Sequence, residues 1–236
     1  TGWGLKSDFI IIHESSHEWF ANNITYKDIA DMWIHEGFTA YSENLFVDYY
    51  YGKEASADYV IGTRQNIKND RPIIGYYNVN KEGSGDMYPK GANMLHTIRQ
   101  LIEDDEKWRQ ILRGLNRTFY HQTVTTQEIE AYLSNQTGID LTAFFNQYLR
   151  TTEIPTLEYN IENRELKYRW TQIVDQFDMP IKVTVNDKEQ WLFPTAQWKT
   201  MPLESNKTDL IINTINYLIK IYTTAVRPKR CRKINA

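Results

Sequence analysis

The chain has 236 residues, 41% hydrophobic and 24% charged, which is the composition of a folded globular protein and excludes a disordered one. A net charge of −3 offers no basic field for nucleic acid, the Arg227 to Lys233 cluster being only a short tail. The single cysteine, Cys231, excludes an internal disulfide, and no stretch approaches the roughly twenty apolar residues of a membrane span.

Taken in chain order, Phe9, Ile12, Trp19 and Phe20 interleave with His13 and His17, which predicts a buried helix from Asp8 that Asn22-Asn23 ends. Past a loop at Lys27 and Asp28, residues 30–51 read as a second helix, with Asp31 near its start and Gly52 past its end. A third helical stretch covers 53–69. Arg71-Pro72 closes it, because the residue before proline is pushed out of the helical region. Asn78, Gly83, Ser84, Gly85 and Asp86 make residues 76–89 a loop. That loop leads into 90–104, where Met94, Leu95, Ile98, Leu101 and Ile102 recur at helical spacing. Residues 106–120 form another helix, Thr125-Thr126-Gln127-Glu128 is a capping-box start for 127–136, and Asp140 caps 141–149. Everything up to residue 150 is expected to be helical.

The texture changes at Glu153-Ile154-Pro155. Residues 156–161 and 165–170 alternate as strands do, joined at Asn163, and 179–185, 190–193 and 216–222 continue in that style, with turns at Asn186-Asp187 and Asn206. The expected fold class is α+β: a mostly α-helical domain over 1–152, a small antiparallel β-sandwich over 153–226, and a basic tail over 227–236.

The chemistry lies in His13-Glu14-Ser15-Ser16-His17. On a helix, the His-Glu-Xaa-Xaa-His spacing puts two imidazoles on one face. Zinc takes neutral imidazole nitrogens and carboxylate oxygens in a four-coordinate arrangement, and a catalytic site leaves one position for water. Glu36, in Trp33-Ile34-His35-Glu36-Gly37-Phe38, supplies a third ligand. Glu14 lies about 100° around the helix from His13, which suits a general base rather than a ligand. Tyr88, before Pro89-Lys90-Gly91, is a candidate donor to the oxyanion of a tetrahedral intermediate, although with 16 tyrosines in the chain spacing alone is a weak reason to choose it.

These three blocks, in this order, resemble the gluzincin zinc aminopeptidase family, which includes the aminopeptidase N and leukotriene hydrolase relatives. The resemblance covers roughly residues 8–150 and implies a thermolysin-like zincin domain. His13, His17 and Glu36 would bind one Zn2+ per chain, with Glu14 as general base and Tyr88 as oxyanion stabiliser. It places Glu43 at a family acidic position that orients a ligand histidine. Ala21 stands where the family usually has glycine and His35 where asparagine is common; neither change removes a ligand. The family's segment that grips the substrate's free amino group would lie upstream, so the chain is expected to be a fragment lacking an N-terminal domain.

The expected activity is release of N-terminal amino acids from peptides, with no nucleic-acid partner. The alternatives are a non-catalytic zinc-containing peptide-binding module and an epoxide hydrolase of the same fold. His35 is expected to support its neighbours rather than ligate, and His96 and His121 to be structural. Tyr76 and Tyr77 are expected to pack locally, Lys90 to be a helix-start residue, and Cys231 to be an exposed tail thiol. The compartment is left open between cytoplasm and bacterial periplasm or secretion.

Overall fold

The computed structural model describes residues 8–205 and 208–223. The expected turn at Asn206, the tail beyond residue 226 and Cys231 lie outside them. The chain is mixed helix and sheet. Its first helix, α1 (Phe9–Ser16), stops a turn earlier than its apolar spacing predicts. A π-helical turn covers Glu18–Asn23, its wide bond running from the Asn22 N–H to the His17 carbonyl at 2.9 Å. The backbone leaves the helical path at Phe20 and Ala21. Ala21 has φ 168, extended backbone open to any residue, so alanine at this position carries no strain. Helix α1 is also not buried: Phe9, Ile10 and Ile11 are exposed, while His13 and Ser16 face inward.

Strand β1 (Ile24–Tyr26) follows and is an element that the all-helical expectation missed. It pairs in parallel with β2 (Gln122–Val124) far along the chain. Between them lie α2 (Trp33–Tyr51), α3 (Lys53–Thr63), α4 (Pro89–Ile102) and α5 (Asp105–Thr118). Gly52 separates α2 from α3 at φ 88, a left-handed conformation that glycine adopts without a Cβ penalty, and the reversal lays α3 back against α2. Helices α6 (Thr126–Thr137) and α7 (Thr142–Arg150) complete the helical part. The predicted capping box opens α6, with Thr125 and Glu128 each bonding the other's backbone N–H.

Two hairpins follow the predicted alternation: β3 (Thr156–Glu162) with β4 (Glu165–Thr171), and β5 (Ile181–Val185) with β6 (Lys188–Leu192). Their turns place Asn163-Arg164 and Asn186-Asp187 at positive φ, the pattern of two-residue turns whose twist matches that of the strands. Strands β7 (Lys199–Pro202) and β8 (Leu210–Ile212) were not foreseen. Strand β9 (Lys220–Thr223) corrects the expectation of an entirely antiparallel arrangement, because it runs parallel to β3. The sheet orders are β7-β4-β3-β9 and β6-β5-β8. Residues 216–219, expected to be strand, instead form a turn and an irregular link into β9.

One apolar core runs from Trp33 and Phe38 through Leu95, Phe145 and Tyr148 to Trp170 and Ile181. Polar ties within it join the helices to the link that precedes β9. The Tyr148 hydroxyl donates to the Leu218 carbonyl at 2.7 Å, and the Leu218 N–H donates to Thr97 Oγ1 at 3.1 Å. Such buried donors and acceptors are paired because leaving one unmade costs about 1–3 kcal/mol.

Candidate active site

Helix α1 lies against α2, and that contact assembles the site. His13 Nε2 is 3.2 Å from Glu36 Oε2, and His17 Nε2 is 3.6 Å from the same oxygen. Taken together, the ligand atoms of His13, His17 and Glu36 all lie within 4.8 Å of one another. The far side of each imidazole is also held. His13 Nδ1 is 2.7 Å from Glu43 Oε1, and His17 Nδ1 is 3.1 Å from the Phe20 carbonyl oxygen. A carbonyl can only accept, so His17 donates from Nδ1, and Nε2 is the ring nitrogen turned toward Glu36. The break at Phe20 and Ala21 thus has a local use: the turn that leaves the helix supplies this acceptor.

Burial disfavours a charged His13, but hydrogen bonds and charge from Glu36 and Glu43 outweigh it and raise its pKa to about 9. Two carboxylates converging on one imidazole make a pocket of negative potential that calls for positive charge. Neutral nitrogen and anionic oxygen donors on that pocket fit a zinc ion.

His35 stays out of this cluster. Its Nε2 accepts from the Tyr26 N–H at 3.0 Å, and its ring lies 4.1 Å, centroid to centroid, from that of Tyr26. Burial lowers its pKa to about 4 against the opposing charge of Glu36, so it remains neutral and able to accept. It ties β1 to α2.

Tyr88 arrives from a loop fixed at its base. Asp86 accepts from the backbone N–H groups of Lys68 and Asn69 at 2.8 and 2.6 Å. Pro89 occupies the first turn of α4, where its missing N–H costs nothing. The Tyr88 ring stacks on His13 at 5.9 Å between centroids. Burial, then the carboxylates of Glu36 and Glu14, push its phenol up to about 12, so it stays protonated and available to donate. Lys90 does stand in the first turn of α4, but it is no solvated helix-start residue. It is 1% exposed, and its Nζ donates to the Thr151 carbonyl at 2.9 Å.

A cavity of about 720 Å3 joins these groups, and His13, Glu14, His17, Glu36, Glu43 and Tyr88 all line it. Glu14 is exposed and open to a ligand in the cavity. Tyr59, Asn44 and Thr63, which also line the cavity, were not singled out from sequence. Tyr59 donates its hydroxyl to Glu43 Oε2. Burial and the Glu43 charge push the Tyr59 phenol well up, which keeps it a donor. No spacing rule relates Glu43 to Tyr59, since they sit on different helices that meet only because the chain reverses at Gly52. Against the expectation of local packing, the Tyr77 hydroxyl reaches out of its loop to donate to Asp31 Oδ1 at 2.6 Å, and Tyr76 is exposed. His96 is buried within α4, and His121 stands at φ 50 before β2.

Residues 6–148 match the family model described as the Peptidase family M1 domain, more than half of the chain. The chain belongs to peptidase family M1. Among curated relatives, Endoplasmic reticulum aminopeptidase 1 of Mus musculus is 27% identical over 129 residues, which is 50% of this chain and 14% of the relative. Leukotriene A-4 hydrolase of Xenopus laevis is 27% identical over 137 residues, 52% of this chain and 22% of its own. Probable aminopeptidase 1 of Sulfurisphaera tokodaii is 22% identical over 213 residues, 80% and 26%.

The fold matches that of Legionella pneumophila aminopeptidase A, solved with aspartic acid, at a TM-score of 0.67 and 17% identity, covering 92% of this chain and 27% of that one. It also matches an M1 zinc metallopeptidase from Deinococcus radiodurans, solved as a mutant bound to a Tyr-Ser-Ala substrate. There the TM-score is 0.55 at 22% identity, over 63% of this chain and 34% of that one. The chain spans between 14% and 26% of the length of the three curated relatives named. Among the described residues, no helix is long and apolar enough to cross a membrane.

Proposed function

We propose that this M1 chain carries the catalytic centre of a zinc-dependent metallo-aminopeptidase that hydrolyses N-terminal amino acids from peptides. The observation that carries the reading is the convergence of His13, His17 and Glu36 ligand atoms within 4.8 Å, with Glu14 and Tyr88 lining the same cavity. The architecture that goes with it is a thermolysin-like zincin domain over residues 1–152 and a β-sandwich-like unit over 153–226, with one zinc per chain.

His13 and His17 would hold zinc through Nε2 and Glu36 through a carboxylate oxygen. A zinc ion supplies Lewis acidity, polarising a peptide carbonyl and acidifying water at neutral pH. Glu14, beside the ligands but not among them, takes the proton of the attacking water and delivers it to the leaving amine. Tyr88, kept protonated, donates a hydrogen bond to the carbonyl oxygen as it gains charge, an interaction stronger in the transition state than in the ground state. Glu43 holds His13 by Nδ1. A purely structural zinc site closes all four positions with protein ligands and has no use for an exposed Glu14 in the cavity.

Release of a chromophore from an alanyl anilide tests the reading. Wild type is expected to turn over, and Glu14→Gln to keep its zinc and lose turnover. Unchanged turnover in Glu14→Gln would refute the assignment of the base.

A further inference from the structure

The line of contacts that begins at the candidate metal position does not stop at Glu43. Tyr59 is buried where α3 packs on α2, its ring clustered with Val47 and Ala55, and its hydroxyl donates to Glu43 Oε2. The other oxygen of that carboxylate, Oε1, is 2.7 Å from His13 Nδ1. Tyrosine hydroxyl, glutamate carboxylate and histidine imidazole form one continuous path from the α2–α3 contact to the Nε2 that faces Glu36.

A glutamate side chain has three rotatable bonds, and an aspect of its orientation is fixed only by what holds each oxygen. Here both are held. Tyr59 is the stiffer anchor, with two side-chain torsions and a ring locked by packing, and it sits on a different helix from Glu43. Remove its hydroxyl and, among the described residues, the side-chain partner left to Glu43 is the very imidazole it is supposed to orient.

We propose that Tyr59 is a positioning residue for the metal centre: by fixing the Glu43 carboxylate it sets the orientation of His13 and thereby the zinc affinity of the site. This rests on the reading of His13, His17 and Glu36 as a zinc centre. Outer partners of a metal-bound histidine typically change metal affinity or activity by about 10–100-fold when removed. Tyr59 stands one link further out, so about tenfold is the expected loss.

Tyr59→Phe keeps the ring and its packing and removes only the donor. The experiment measures zinc affinity by competition with a chromogenic chelator, and the visible absorption of the Co2+-loaded protein, for wild type, Tyr59→Phe, Glu43→Ala and the double variant. The proposal expects Tyr59→Phe to stay folded, to bind zinc about tenfold more weakly and to shift the Co2+ bands. Adding it to Glu43→Ala should then change nothing further, because the link it acts through is gone. Wild-type affinity and spectrum in Tyr59→Phe would overturn the proposal, and so would an equal further loss in the Glu43→Ala background. Absence of zinc binding in wild type would instead strike the zinc reading itself, and this inference with it.

Discussion

A Cβ carried by Gly91 would lie 3.1 Å from the α-carbon of Gly37, so α2 and α4 cross with only hydrogen between their backbones. Gly37 follows Glu36, and Gly91 comes three residues after Tyr88. The crossing therefore fixes the distance between a candidate ligand and the candidate oxyanion donor. A Cβ on Gly91 would crowd the Gly37 backbone and one on Gly37 would lie 3.2 Å from the Met87 carbonyl oxygen, which gives both motif glycines a physical reason.

Gly91→Ala tests that relationship. Alanine gains about 0.5–1 kcal/mol in helix propensity, but forcing a methyl into a packed crossing costs typically 1–3 kcal/mol, so net destabilisation of about 1 kcal/mol is expected in urea unfolding. Anilide turnover should fall further than the loss of folded protein accounts for. Turnover that simply tracks the folded fraction would separate the crossing from the chemistry.

On the proposed reading, Tyr88→Phe removes a donor aimed at charge that develops only during reaction. Loss of one such donor costs about 10²–10³ in kcat with little change in KM. A variant that raised KM alone would make Tyr88 a substrate-binding group instead.

Burial, aided by the charges of Arg64 and Arg99, pushes the pKa of His96 down from 6.5 to about 3. Its folded-state pKa lies below its unfolded one, so the stability it permits is fully present above pH 6.5 and drains away as pH falls toward 3. Each pH unit in that window costs about 1.4 kcal/mol. Between pH 6.5 and 5, wild type should lose about 2 kcal/mol more than His96→Leu in urea titrations. Parallel curves for the two proteins would show that His96 is not the group responsible.

Chelation should destabilise the folded chain, since a ligand that binds only the native state adds about 2.7 kcal/mol at a hundredfold excess over Kd. The thermal midpoint of wild type is expected to drop on adding a chelator and to recover with zinc, while that of His17→Ala should not respond. An identical response in both proteins would place the metal elsewhere.

Much of this was legible in the sequence, and what was not has a common cause. The helical spacing of Met94, Leu95 and Ile98, the Thr125–Glu128 capping box and the two hairpin turns are local signals, and each produced its element. Strands β1 and β2 are short and pair across nearly a hundred residues, so neither carries a local alternation to read. The early end of α1 leads into a turn whose Phe20 carbonyl meets His17, a contact visible only once the site is assembled. His13, Glu14 and His17 were nominated by helical geometry, and Glu36 by its place nineteen residues after His17. Tyr59 and the Gly37–Gly91 crossing were not, because each joins two helices whose packing no periodicity encodes.

The central claim is that His13, His17 and Glu36 together hold one zinc ion, and metal content by plasma mass spectrometry on the purified chain and on His13→Ala tests it most directly. The account predicts one zinc per chain in wild type and essentially none in the variant, with both proteins folded. Equal zinc in the two, or none in a folded wild type, would contradict it.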